Sequence, residues 1–202
     1  MKKKLLIFGK SHHFIKLLKS IYTNYEIHIT SWRKPKLFNK FDIVFVCGFD
    51  YSSFGKNLND FLNINCTKPI NYLKKITTVD SKVIYINTKS NFKKFTLSRY
   101  YFAKVQFANE VNKKFKYTSI IFLPTISNNA WPFIFGNYIS KQIFCKLITL
   151  GFVKNIELND LKKILYIKNI KFFNYKRLEL NGMLLKIPRS LFFDRLLRFV
   201  IG

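Results

Sequence analysis

Apolar residues fall along this chain in short dense blocks set apart by polar, amphipathic stretches, and the two kinds of segment alternate. "KLLIFG" (residues 4–9) is an unbroken apolar run ending in glycine, the pattern of a parallel strand buried on both faces. "SHHFIKLLKSIY" follows with helical spacing, and "YEIHIT" reads as a second strand. "FDIVFVCG" (41–48) and "KVIYINT" (82–88) read as the third and fourth, with "NDFLNINCTKPINYLKKI" helical between them despite Pro69. "KFTLSRYYFAKVQFANEV" (94–111) predicts the next helix, and "YTSIIFLPTI" (117–126) a strand that Pro124 ends. Such alternation of strand and helix predicts right-handed crossovers and a doubly wound parallel α/β sheet with helices on both faces. In such sheets ligands bind beyond the carboxyl ends of the strands. There the small and polar residues cluster: Gly9 with Ser11, Thr30 with Ser31, Cys47 with Gly48, Asn87 with Thr88.

Beyond about residue 130 the alternation weakens. "WPFIFGNYISKQIFCKLITLGF" predicts a helix with one apolar face, and "ELNDLKKIL" a shorter one. The expected organisation is therefore an α/β domain over residues 1–130 and a reduced, helical C-terminal appendage over 131–202. The final stretch, "PRSLFFDRLLRFVIG", sets Leu, Phe and Val on one face with Arg189, Arg195 and Arg198 among the rest. A terminal helix docked on the domain is the favoured reading; contact with an anionic membrane surface is the alternative.

Charge changes the picture. The chain has 36 basic and 10 acidic side chains, a formal charge of +26, which favours anionic partners such as phosphates, nucleotide sugars or an anionic membrane. No nucleic-acid recognition motif accompanies it, so nucleic acid is disfavoured. Cys47, Cys66 and Cys145 are widely separated and lack metal-ligand spacing, which argues for reduced thiols and no metal site. The apolar run after the basic N-terminus is too short for a signal peptide, and no stretch is long enough to span a bilayer. The expected location is cytoplasmic, at most peripheral to the inner face of the membrane.

The chemistry worth weighing lies in the helix of residues 94–111. Tyr100 and Lys104 stand one turn apart on a shared face. A lysine ammonium there stabilises a phenolate and lets the tyrosine trade a proton with a substrate hydroxyl or carbonyl. In a lysine-rich chain such spacing also arises by chance, and Tyr85 with Lys89 repeats it; that match falls in a strand, where the two side chains diverge. Thr88, twelve positions before Tyr100, is the natural hydroxyl to position a substrate oxygen. His12 and His13 have no sequence partners for catalysis, and Trp32 and Trp131 read as packing rather than base-stacking residues.

The order of these features resembles the short-chain dehydrogenase/reductase superfamily, in particular its nucleotide-sugar epimerase/dehydratase branch. The likeness runs over about residues 3–126 through "KLLIFGKS", "FDIVFVCG", "NINCTKPINYLKKI", "VIYINT", "YYFAK" and "IIFLPTI". It implies a Rossmann-like fold, Tyr100 as acid/base, Lys104 as its pKa partner and a contact to the nicotinamide ribose, and Thr88 as the positioning hydroxyl. It further implies a cofactor site built from Gly9, Lys10, Ser11, Arg33, Gly48 and Lys104. Arg33 and Lys34 after the second strand, with no acidic residue for a ribose diol, imply NADP over NAD.

Departures accompany the likeness. The first turn reads "GKSHHF", with His12 and Phe14 or Ile15 where the family has glycines, and a strand and helix are missing between residues 30 and 41. Three functions follow. The first is an NAD(P)-dependent oxidoreductase or epimerase/dehydratase acting on a nucleotide sugar, as in surface polysaccharide synthesis. The others are a non-catalytic relative serving as a binding or scaffold protein, and a basic protein that binds membranes or polyanions.

Overall fold

Leu5, Leu6, Ile7 and Phe8 are all completely buried, yet they face opposite ways: Leu6 and Phe8 enter one hydrophobic core, Leu5 and Ile7 another. Period-2 geometry with apolar residues at every position demands cover on both sides, at about 2 kcal/mol for each large side chain removed from water. In this computed structural model the described residues are 2–9, 12–36, 40–88, 99–123, 125–128, 131–132, 142–143, 145–146, 149–150, 155–168 and 170. They place β1 (Lys4–Phe8), β2 (Glu26–Thr30), β3 (Phe41–Val46), β4 (Thr77–Thr88) and β5 (Tyr117–Leu123) in one sheet of order β2-β1-β3-β4-β5. Every pairing is parallel. The doubly wound, Rossmann-like α/β reading is thereby established.

Helix α1 (His12–Ile21) covers one face with Phe14, Leu17 and Leu18, joined by Leu161 and Leu165 of α5 (Leu158–Leu165). The buried Tyr22 hydroxyl donates to the Leu165 carbonyl at 2.6 Å and ties these elements together. The opposite face is covered by α2 (Leu58–Leu62), a π turn (Asn63–Thr67), α3 (Lys68–Ile76) and α4 (Arg99–Lys114). The helix expected over residues 59–76 is thus an α–π–α element. Pro69, lacking an N–H, sits in the first turn of α3, where no donor is required.

Other boundaries differ from the sequence reading. β4 begins at Thr77 rather than 82, its polar start held by Ser81 donating to the Phe41 carbonyl at 2.6 Å. The strand from Tyr117 ends at Leu123, just before Pro124 as expected, but the chain then leaves the first sheet, and β6 (Thr125–Asn128) pairs with β7 (Trp131–Pro132) and β8 (Asn155–Glu157) in a second, three-stranded sheet. Trp131 therefore begins no helix. Most of the remaining stretch to 154, and the amphipathic tail, lie outside the described residues. No described helix is long and apolar enough to cross a membrane.

From β1 the chain winds outward through α1 to β2, then returns past β1 to β3. Residues 31–36 and 40 of that link contain neither helix nor strand, in keeping with the missing strand and helix. The reversal puts the topological switch between β1 and β3, where an open α/β sheet leaves a crevice at its carboxyl edge. Two glycines face each other there. Gly9 has φ of +130° and donates its N–H to the Thr30 carbonyl at 2.9 Å. A Cβ on Gly9 would lie 2.6 Å from the Gly48 nitrogen. Gly9→Ala is therefore expected to destabilise the fold by about 2 kcal/mol or more. Gly55→Ala, which meets nothing within 4 Å, should stay within about 0.5 kcal/mol of the parent. Urea denaturation of both variants checks the contrast.

Candidate functional site

Helix α4 turns Tyr100 and Lys104 toward the sheet, and both are buried, at 5% and 8% exposure. The Lys104 ammonium lies 5.1 Å from the centroid of the Tyr100 ring and 5.8 Å from that of Tyr85. It is thus held against two aromatic faces, a favourable place for a cation with little water around it. Tyr85, set aside in the sequence as a partner for Lys89, is in fact a neighbour of Lys104.

A short 3-10 helix after β3, Tyr51–Gly55, closes over the pair. Tyr51 stacks on Tyr100 at 5.9 Å and 21°. Phe49 meets Tyr100 edge-on at 4.8 Å, and Tyr101 adds a further ring at 5.3 Å. Burial governs the titration of this cluster. It lowers the pKa of Lys104, against the pull of Tyr51 and Cys47, and raises those of Tyr51 and Tyr85. The Cys47 thiol is pushed up to about 12 by desolvation, with Lys104 acting in the opposite direction.

Asp50 anchors the segment that carries Tyr51. Its carboxylate accepts from the Ser52 N–H at 3.0 Å and the Ser52 hydroxyl at 2.7 Å, capping the 3-10 helix. Its own N–H donates to Asn65 Oδ1 at 2.8 Å, and Asn65 in turn donates to Ser53 Oγ at 2.7 Å. The π turn thereby braces the site. Arg33 donates its Nε to Asp50 at 2.8 Å; the arginine side chain is 60% exposed, the aspartate only 8%.

At the crevice itself Trp32 lies flat against Gly48, so close that a Cβ there would stand 2.4 Å from its Cε3. The indole stacks on Phe8 at 4.7 Å and 19° and meets Phe107 edge-on at 5.6 Å. It is 8% exposed.

Of the residues expected at the site, the fold brings Tyr100 to Lys104 and Gly9 to Gly48, with Arg33 next in sequence to the Trp32 that covers Gly48. Thr88 ends β4 opposite Leu123, its side chain outside the described set, and Lys10 and Ser11 lie outside it too. His12 is exposed at the start of α1. Among the described residues no group of His, Cys, Asp and Glu side chains is arranged to hold a metal ion. Tyr51 and Asp50 escaped the sequence reading. "DYSS" after a strand has the form of an Asp cap, a local signal for Asp50, whereas nothing distinguishes Tyr51 among 11 tyrosines.

No protein-family model matches the chain, and no curated protein matches it by sequence. By structure it is similar to dTDP-4-dehydrorhamnose reductase from Bacillus anthracis, solved in complex with NADP. The TM-score is 0.53 and the identity 15%, over 82% of this chain and 70% of the reductase. A short-chain dehydrogenase/reductase superfamily protein from Agrobacterium tumefaciens, with bound NAD, aligns at a TM-score of 0.49 and 10% identity over 84% of this chain and 64% of the other. At 15% identity, what the chain shares with the reductase is the fold, a Rossmann-like α/β sheet.

The residues at the crevice suit a nicotinamide dinucleotide at two of its three parts. Gly9 offers bare backbone beside the start of α1, whose first turn has no acidic side chain, a setting for phosphate. Lys104, against the Tyr100 ring, also acts on Cys47 just past the end of β3, a setting for the reacting ring. Over Gly48, where a base would approach, stands Trp32.

The buried amine gives the site a pH signature. A lysine whose folded pKa lies below its unfolded value costs stability while the unfolded chain is the better proton binder, and that cost fades as pH rises toward 10.5. Lys104→Met is expected to raise Tm at pH 7 by about 2–4 °C, the gain shrinking as pH approaches 10.5. Differential scanning calorimetry of the two proteins across that range checks the sign.

Proposed function

We propose that the protein is a nicotinamide-dinucleotide-dependent oxidoreductase of the short-chain dehydrogenase/reductase type, acting on a nucleotide sugar. The observation that carries this reading is the buried Tyr100–Lys104 pair at the carboxyl edge of a doubly wound sheet, next to its switch point. Support for the substrate class comes from the sequence resemblance and from the similar reductase, which by its name acts on a dTDP-linked sugar.

The dinucleotide, when bound, supplies a hydride acceptor or donor. Tyr100 moves the proton that accompanies it, taking it from a sugar hydroxyl or returning it to a carbonyl. Lys104, held against the Tyr100 ring, favours the phenolate by its charge. Tyr51, stacked on Tyr100, keeps water from the pair. Thr88, at the end of β4, positions the substrate oxygen. Gly9, Lys10, Ser11 and Gly48 would hold the dinucleotide, and Arg33 with Lys34 would favour the 2′-phosphate of NADP. A role in surface polysaccharide synthesis is the matching context.

A second reading, a non-catalytic relative that kept the fold as a binding or scaffold protein, is favoured by one observation, the Trp32 indole over Gly48. Turnover separates the two. With a nucleotide-sugar panel and NADPH absorbance as the readout, Tyr100→Phe is expected to lower turnover by about a hundredfold or more while circular dichroism stays unchanged. Turnover equal to the parent's would sink the enzyme reading. Calorimetric titration with NADPH and NADH at moderate and high salt tells site binding from attraction of phosphates to a strongly basic chain.

A further inference from the structure

We propose that the slot bounded by Phe8, Phe107 and Gly48 is a binding site for the planar base of a nucleotide, and that Trp32 occupies it in the free protein. This rests on the reading of the crevice as a nucleotide site and is independent of any chemistry at Tyr100.

Three observations point the same way. The first is place: Gly48 follows β3 at the β1/β3 switch, the part of an open α/β sheet where ligands lie. The second is shape. The floor of the slot is bare Gly48 backbone and one wall is Phe8, nearly parallel to the indole at 19°, with the edge of Phe107 closing it, a geometry that accepts a flat aromatic ring and little else. The third is an unmatched edge. The indole Nε1 is buried and has no hydrogen-bond partner among the described residues, although buried tryptophans normally find one. The slot holds Trp32 by its faces and leaves its polar edge unserved.

The tether suits an occupant that leaves. Trp32 belongs to the β2–β3 link, whose described residues contain no helix or strand, while the link's ends are fixed on either side of it. The Lys36 N–H donates to Thr30 Oγ1 at 2.8 Å, and the Tyr72 hydroxyl donates to the Lys36 carbonyl at 2.7 Å. Arg33, next in sequence, holds its guanidinium on the Asp50 carboxylate while the indole is seated. An entering nucleotide must displace the indole, so free protein binds nucleotides weakly.

ADP, NADPH and inorganic pyrophosphate are the probes, the last carrying the charge without a base. In calorimetric titration at high salt, Trp32→Ala is expected to bind ADP and NADPH at least tenfold more tightly than the parent, with pyrophosphate unchanged. Unchanged or weaker ADP affinity would overturn the proposal, as would an equal gain for pyrophosphate. Should the variant fail to fold, the parent answers through its own fluorescence. In a Trp131→Phe background, ADP is expected to shift Trp32 emission to the red and at least double its quenching by acrylamide. An indole still shielded at saturation, or no saturable ADP binding, would overturn it. The deciding comparisons, ADP against pyrophosphate and the Trp32 emission, involve neither nicotinamide nor Tyr100, so an inert Tyr100→Phe comparison defeats the enzyme reading and leaves this one standing.

Discussion

The contact on which the rest of the molecule depends is the one between Gly9 and Gly48. Two parallel strands can lie side by side with large apolar residues on both faces, but their continuing chains must pass at the carboxyl edge. Here they pass with backbone against backbone, the Cys47 N–H donating to the Phe8 carbonyl at 2.9 Å. That approach fixes where α1 begins and where the chain after β3 turns toward Asp50. It also creates the flat floor on which Trp32 rests. Stability and site thus share one constraint, and a side chain at either glycine disturbs both.

Around that floor the protein has assembled aromatic side chains rather than charges. Tyr85 and Tyr100 face the Lys104 ammonium, Phe49, Tyr51 and Tyr101 pack on Tyr100, and Phe8, Trp32 and Phe107 form the adjoining stack. In a chain so rich in lysine, the low-dielectric interior selects which amine matters. An exposed lysine interacts weakly with everything through water, whereas the desolvated Lys104 acts strongly on the few phenols and the thiol it meets. Its position, not its residue type, distinguishes it.

The parts of the fold that were legible in the sequence were those written in local periodicity. Apolar blocks gave β1 and β3, and the Tyr100–Lys104 spacing on a helix survives in α4. What escaped was set by distant partners. The polar start of β4 is a strand because Ser81 and Thr77 find carbonyl acceptors in Phe41 and Leu73. The chain switches sheets after Leu123 because strands far downstream supply the pairing. Tyr51 and Trp32 reach the site by tertiary packing alone, and no spacing rule connects them to Tyr100 or Gly48. Trp32 as a packing residue was a sound reading of its burial, but its location over the switch point lay beyond the sequence.

The bond from Tyr22 to Leu165 bears on how the chain acquires its structure during synthesis. The face of the sheet formed by Leu5, Ile7, Ile43 and Ile84 takes part of its cover from Leu161, Leu165 and Ile170, residues made long after the last strand of the sheet. A ribosome-bound chain that has completed β5 therefore holds one finished core and one face that α1 covers only in part. Closure of that face waits for more than forty further residues, and until then the nascent protein presents apolar surface that a chaperone, or a neighbouring chain, is free to meet.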